Sequence, residues 1–402
     1  MANKIINGKQ CTIGWYVDDN IIGHKDKTVI DDQIAKIKAK FSGLVVQKGP
    51  NLDFLGMELH FRKDGKVDIG TVQFLKKMIQ EFEEDTGVAL NRMYATPGAA
   101  WLFKIKDSKE LCPKFTGFFQ KFVMKVLWTS KRSRPDLETT MGFLTTRVKS
   151  PTKDDWHKLT RLMCFIRATV NDVRIIGADN LHNLLTMIDS AHAVHEKDMR
   201  GHTGSITTMG TGVLDSKSSK QKMNTRSSTE TEFVGNSEAL PKTIFRCHFM
   251  EAQGYKIKWN VLAKDNESEI KLLKNGRDSC TWNSKHIAIK YFWVTDRIKD
   301  GKIIVEHCPT KEMVADFMSK PAQGSLFKTF RNVLMGWSHI SEVFKKYIRP
   351  EERVENSMEA MTYADATKGN VKSVTWKRKL AKKAVIAHDK HLIGEIEKDL
   401  IK

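Results

Sequence analysis

Leu184-Leu185-Thr186-Met187-Ile188-Asp189-Ser190 is an apolar run that closes on a carboxylate. A run this short, bounded by polar residues, predicts a strand with Asp189 at its end. Downstream, Gly204–Leu214 reads as a Gly-punctuated hairpin, Ser228–Leu240 as a helix and Val261–Lys264 as a short strand. Ser284–Lys299 then reads as a helix, Lys302–His307 as a strand and Lys311–Lys320 as a helix. Strands and helices alternating in this way predict a mixed α/β sheet with flanking helices over residues 181–325.

Upstream, residues 96–180 look helical. Phe115–Thr129 is strongly apolar and breaks at Ser133-Arg134-Pro135. Ser150-Pro151-Thr152-Lys153-Asp154-Asp155 predicts a helix start, with Pro at an early helical position and carboxylates in the first turn. Residues 1–95 read as strands and one helix. Cys11–Val17 is apolar up to the turn-like Asp18-Asp19-Asn20, and Ile21-Ile22-Gly23 resumes it. Phe54–Phe61 alternates from its middle onward and ends at Lys63-Asp64-Gly65-Lys66, a hairpin signal. Val72–Phe82 has helical spacing. From 326 to 402 we expect a helical or disordered basic tail, in which Trp376–Lys383 is a run of basic residues.

A chain of 402 residues accommodates two or three domains, and its 40% hydrophobic and 29% charged residues describe a soluble globular protein. No stretch approaches the roughly 18 consecutive apolar residues that span a bilayer, and the N-terminus lacks the apolar centre of a signal peptide. The formal net charge of +19, from 67 basic and 48 acidic residues, fits a polyanion partner or a solvated basic surface equally well. The six cysteines form no CxxC pair, which argues against a zinc site and a disulfide framework and favours a reducing compartment, cytoplasmic or nuclear.

Two carboxylate groupings carry possible chemistry. In Trp15-Tyr16-Val17-Asp18-Asp19 two adjacent acids share a tight turn; like charges repel there, and a divalent cation would relieve the conflict. An ordinary Asp-Asp-Asn turn accounts for the same five residues. The second grouping, Asp189, Glu232, Asp265 and Asp316, is scattered. Each member alone reads as an N-cap, an exposed helix face or a turn.

Together the motifs resemble a copia-type retrotransposon polyprotein. Tyr16-Val17-Asp18-Asp19 resembles the reverse-transcriptase palm hairpin; Phe54-Leu55-Gly56-Met57 and Ser133-Arg134-Pro135-Asp136 resemble segments that follow it. Ser227–Phe233, Asp265–Ile270, Lys285–Phe292 and Pro309–Pro321 resemble four ribonuclease H segments in the same order. The resemblance covers most of residues 1–340. It implies a truncated palm at 1–95, thumb-like helices at 96–180 and a ribonuclease H-like domain at 181–325. It further implies that Asp189, Glu232, Asp265 and Asp316 hold two magnesium (or manganese) ions and hydrolyse the RNA of an RNA–DNA hybrid. Glu230 competes with Glu232 for the helix position. His307 stands where relatives often carry a proton-transfer histidine, and Lys220, Lys222, Arg226 and Lys285 are candidate phosphate contacts.

The chain departs from the pattern in places. The fifteen residues before Tyr16 contain no acid, so the upstream palm ligand and the fingers are missing and no polymerase activity is expected from the chain alone. The residues after Asp189 and the strand Asp215–Lys222 have also drifted. The competing expectation is a non-catalytic nucleic-acid-binding remnant or a co-opted host protein.

Overall fold

The computed structural model describes residues 1–41, 43–276 and 292–347. Lys285, most of the segment around it and the basic run at 376–383 lie outside the described residues.

The N-terminal strands β1 (Ala2–Ile6), β2 (Lys9–Tyr16) and β3 (Asp19–Gly23) form an antiparallel meander. Tyr16 pairs with Asp19, so Val17-Asp18 is the two-residue hairpin turn, with Val17 at φ +52°. Two helices, not one, precede residue 96. The unexpected one, α1 (Lys27–Lys38), starts where the Asp26 carboxylate accepts from the Thr28 amide at 2.9 Å. Its apolar residues Ile30, Ile34 and Ile37 do recur at helical spacing, but the charges between them dilute the pattern.

A second sheet begins with β4 (Asn51–Phe54), β5 (Met57–Phe61) and β6 (Val67–Gly70). The Phe54–Phe61 run is therefore split, by a turn at Leu55-Gly56 with φ of +52° and +71°. The hairpin at Lys63–Lys66 joins β5 to β6 as expected. Within the stretch read as helical, β7 (Arg174–Ala178) is a strand pairing with β6. The second helix before residue 96 is α2 (Val72–Thr86), and the helices within that stretch are α3 (Pro113–Ser130), α4 (Glu138–Leu144) and α5 (Lys153–Ala168). Thr152 and Asp155 cap α5 reciprocally, which puts Pro151 before the cap and not in the first turn.

The third sheet is mixed. Strands β8 (Asn183–His195), β9 (Arg200–Thr208) and β11 (Asp215–Lys220) are antiparallel; β12 (Trp259–Lys264) joins β8 in parallel, and β13 (Ile304–His307) joins β12. The spatial order is β11-β9-β8-β12-β13. The reversal expected over Gly204–Leu214 falls at residues 209–214, where two-residue β10 (Gly210–Thr211) leaves to pair with β7. Asp189 is mid-strand, not at a strand end. Beyond the apolar run, Asp189, Ser190 and Ala191 stay paired with β9, while the parallel pairing with β12 stops at Met187. The helices are α6 (Ser228–Ala252), which continues past Pro241, α7 (Glu267–Asn275), α8 (Trp293–Lys299), α9 (Asp316–Ser319) and α10 (Gly324–Leu334). The helix expected at Lys311–Lys320 is a 3-10 turn at Thr310–Glu312 and then, after a break, the short α9.

Strand alternation splits β8 between two cores. Leu185 and Met187 join a cluster that includes Ile206, Val261, Phe143, Leu162, Phe330 and Phe344; Ile188 joins a smaller one with Phe233, Leu240, Leu262 and Leu273. The boundaries drawn at 180/181 and 325/326 thus cut through one buried cluster. Residues 326–347 are not tail: Phe327, Phe330 and Leu334, at i, i+3 and i+7 on α10, are buried. A buried network locks α10 in place. Arg134 donates twice to Asp136 at 2.9 Å, and Arg331 of α10 donates to Asp136 at 2.9 Å and to Asp172 at 2.5 Å. No described helix is long and apolar enough to cross a membrane.

Candidate metal centre

Four separate elements deliver the scattered carboxylates. Asp189 comes from the middle of β8, Glu232 from the second turn of α6, Asp265 from the residue after β12, and Asp316 from the first position of α9. Two glycines permit the close approach of the helices. Gly204, the cross-strand partner of Asp189, lies so near α9 that a Cβ there would sit 2.6 Å from the Ala315 carbonyl oxygen and the Ser319 amide nitrogen. Gly235, three residues after Glu232, lies so near β8 that a Cβ would sit 2.1 Å from Ser190 Oγ.

As a result Asp189, Glu232 and Asp265 each place one carboxylate oxygen within 4.8 Å of the others. They line an open cleft of about 460 Å³ together with Ser190, His192, Asn266 and Lys320. Asp316 joins through Asp189: Lys320 Nζ lies 3.0 Å from Asp316 Oδ1 and 3.3 Å from Asp189 Oδ2, and the Ser319 hydroxyl also donates to Asp189. Of the two rivals on α6, Glu232 is the one in the cluster. Glu230 instead accepts from the Arg226 amide at 2.7 Å, in the manner of a helix start.

The electrostatics are those of acids crowded without enough cation. Burial and the neighbouring Asp189 charge push the Asp316 carboxyl up to about 7, against the pull of Lys320. Asp189 itself stays below its ordinary value, because Lys320 and the Ser319 hydroxyl outweigh its burial. Burial raises Glu232 well above the usual carboxylate range, with Glu269 and Asp189 adding to the effect and Lys264 opposing it. The donor set, all carboxylate oxygens, suits a hard divalent ion such as magnesium or manganese. Asp265 fits that role best, since its carboxylate makes no hydrogen bond or ion pair among the described residues.

The other expected residues are less central. His307 ends β13 in register with Lys264, and its ring makes no hydrogen bond to the four carboxylates among the described residues. Lys220 is committed to Asp198 at 2.6 Å, while Lys222 and Arg226 are exposed. Asp18 and Asp19 lie exposed at the first hairpin's tip, where Asp19 accepts from the Leu55 amide at 3.1 Å. No third acid joins them in a metal-sized group among the described residues. Sequence reasoning missed Lys264, Glu269 and Lys320. A lysine at a strand end carries no mark of burial, and its acidic partner comes from the next helix.

No protein-family model matches the chain. It is 25% identical over 331 residues to the retrovirus-related Pol polyprotein from transposon TNT 1-94 of Nicotiana tabacum, covering 79% of this chain and 24% of that protein. It is 23% identical over 351 residues to the transposon Ty1-LR3 Gag-Pol polyprotein of Saccharomyces cerevisiae, covering 83% and 20% respectively. The chain thus spans about a quarter or less of the length of these curated relatives. A foamy viral protease-reverse transcriptase, solved in complex with an RNA/DNA hybrid, aligns over 78% of this chain and 37% of its own, with a TM-score of 0.44 and 16% identity. Matches that run through most of its length make this chain a homologue of the Pol polyproteins of TNT and Ty1 retrotransposons, as its motifs led us to expect.

Proposed function

We propose that residues 181–325 are a ribonuclease H-like nuclease that hydrolyses the RNA strand of an RNA–DNA hybrid with divalent metal. The observation that carries the reading is the meeting of Asp189, Glu232 and Asp265 within 4.8 Å, with Asp316 against Asp189, in an open cleft. The carriers support it too: first strand, first following helix, end of the fourth strand and last short helix of a mixed sheet are the places the resemblance assigns to the catalytic acids.

Asp189 and Asp265 would hold the metal, which when bound would supply an activated water and stabilise the leaving 3′ oxygen; Glu232 borders the same cleft. The rest falls to the chain itself. Asp189 is held by the Ser319 hydroxyl, so its orientation is set before substrate arrives. Asp316, with its pKa raised to about 7, is suited to hold or release a proton near neutral pH. The Lys320 ammonium, half exposed at the cleft, is placed to meet a backbone phosphate. Exposed Lys222 and Arg226 lie just before α6 and would extend that basic surface.

The test is cleavage of an RNA–DNA hybrid in magnesium by the full chain and by Asp265→Asn. We expect the variant to lose at least about a hundredfold in rate. A parent that binds the hybrid and leaves it uncut would overturn the nuclease reading. It would favour the second one, a non-catalytic nucleic-acid-binding remnant, which the lysines already holding Glu232 and Asp189 support.

A further inference from the structure

We propose that the Lys264 ammonium is the resident cation of the carboxylate cluster at Glu232, so that this chain takes up one divalent ion, at Asp189 and Asp265, and not two. The inference rests on the nuclease reading above for the identity of the metal ligands.

Lys264 is the last residue of β12 and is wholly buried. Its Nζ lies 2.7 Å from Glu232 Oε2, 2.7 Å from the Ile188 carbonyl oxygen and 3.0 Å from Glu269 Oε2. Two of these oxygens accept hydrogen bonds from the ammonium and the third, on Glu269, pairs with it by charge, so its surroundings hold it in place. Its second anchor is held in turn: Glu269, also fully buried, accepts from Asn236 Nδ2 at 2.5 Å. Movement of Lys264 toward solvent would leave Glu269 charged and unpaired in the interior, which is strongly unfavourable. Both Glu232 oxygens are engaged, Oε1 accepting from the Ser190 amide at 3.2 Å and Oε2 from Lys264, so a metal could reach only a remaining lone pair. A divalent ion seeking Glu232 must therefore displace a buried ammonium or sit beside it against like-charge repulsion. Asp265, one residue on, has no such commitment among the described residues. The cluster is thus divided into a half that already holds a cation of the protein's own and a half open to metal. Lys320 does not divide it in the same way, because it is about half exposed and can swing away from Asp189.

Manganese(II) alone, titrated into the full chain and followed calorimetrically and by electron paramagnetic resonance, tests this without reliance on cleavage. We expect one ion per parent chain, abolished by Asp265→Asn. The paired change Lys264→Met with Glu269→Gln removes the buried charges as a unit, and it should tighten binding about tenfold or more or admit a second ion. In the parent, Glu232→Gln should cost much less than the roughly tenfold or greater loss expected of a metal ligand. This arm stands even if the paired variant fails to fold. Two ions on the parent, an unchanged affinity in a folded paired variant, or a ligand-sized loss in Glu232→Gln would overturn the proposal. Tightening without any hybrid cleavage would sustain the role of Lys264 while the nuclease reading fell; cleavage with unchanged affinity would do the reverse.

Discussion

Asp136→Asn removes the one acid shared by Arg134 and Arg331, and its cost can be worked from the structure. Arg134 and Asp136 are fully buried and joined by two contacts of 2.9 Å; a third of the same length comes from Arg331 on α10. Burial opposes the Asp136 charge, but the two guanidiniums outweigh it and lower the carboxyl from 3.8 to about 2. At about 1.4 kcal/mol per pKa unit that depression contributes roughly 2.5 kcal/mol to folding. Because the folded value lies below the unfolded one, the contribution is complete above pH 3.8 and is lost as pH falls through about 2. The substitution does more than discharge the group, since it leaves two arginines sharing a neutral amide in the interior. Losses on breaking a buried pair run to about 3–5 kcal/mol. We therefore expect Asp136→Asn to destabilise the chain by about 3–5 kcal/mol at pH 7, read by urea denaturation, and to lack the parent's loss of stability between pH 3.8 and 2. A cost below about 1 kcal/mol at neutral pH, or an unchanged acid limb, would refute the reasoning.

Three further outcomes are expected. Gly204→Ala should push α9 away from β9, weakening manganese binding and costing about 1–3 kcal/mol in thermal melts while the far-ultraviolet circular dichroism is retained; a variant that binds metal like the parent would show that the close approach is not needed. The isolated chain should give no primer extension above that of Asp18→Asn with Asp19→Asn, because no third acid joins that turn among the described residues; extension that depends on those two acids would contradict this. Burial lowers His195 to about 4 and, together with the neighbouring His195 and lysines, lowers His202 well below its ordinary value; both folded values lie under the unfolded 6.5. Their stabilisation is therefore whole above pH 6.5 and declines toward pH 4, and a His202→Gln variant should have a flatter denaturation profile over that window.

Local chemistry was legible wherever neighbours in sequence settle it. The Tyr16–Asp19 turn, the Lys63–Lys66 hairpin, α2 and the start of α5 all follow from adjacent residues. The four acids were legible only through motif resemblance, since nothing in the composition around Asp189 or Asp316 separates them from surface charges. What failed depends on distant partners. β7 is five residues whose strand form is secured by β6, about a hundred positions earlier. β8 runs past Asp189 because β9 pairs with it there, although its own apolar pattern has ended. Lys264 is buried because acids on α6 and α7 converge on it, a fact of tertiary geometry with no trace in a strand-end lysine.

The apolar cluster that joins the helices of residues 96–180 to one face of the mixed sheet has a consequence for how the chain could be dissected. A fragment beginning near residue 181 would carry all four acids yet turn Leu185, Met187, Ile206 and Val261 toward water. Such a piece would be prone to stick to itself and to chaperones. Damage among the helices, far from any of the four acids, would disturb the carboxylate cluster by the same route. In this molecule the helices of residues 96–180 act as the scaffold for the sheet that carries the carboxylate cluster.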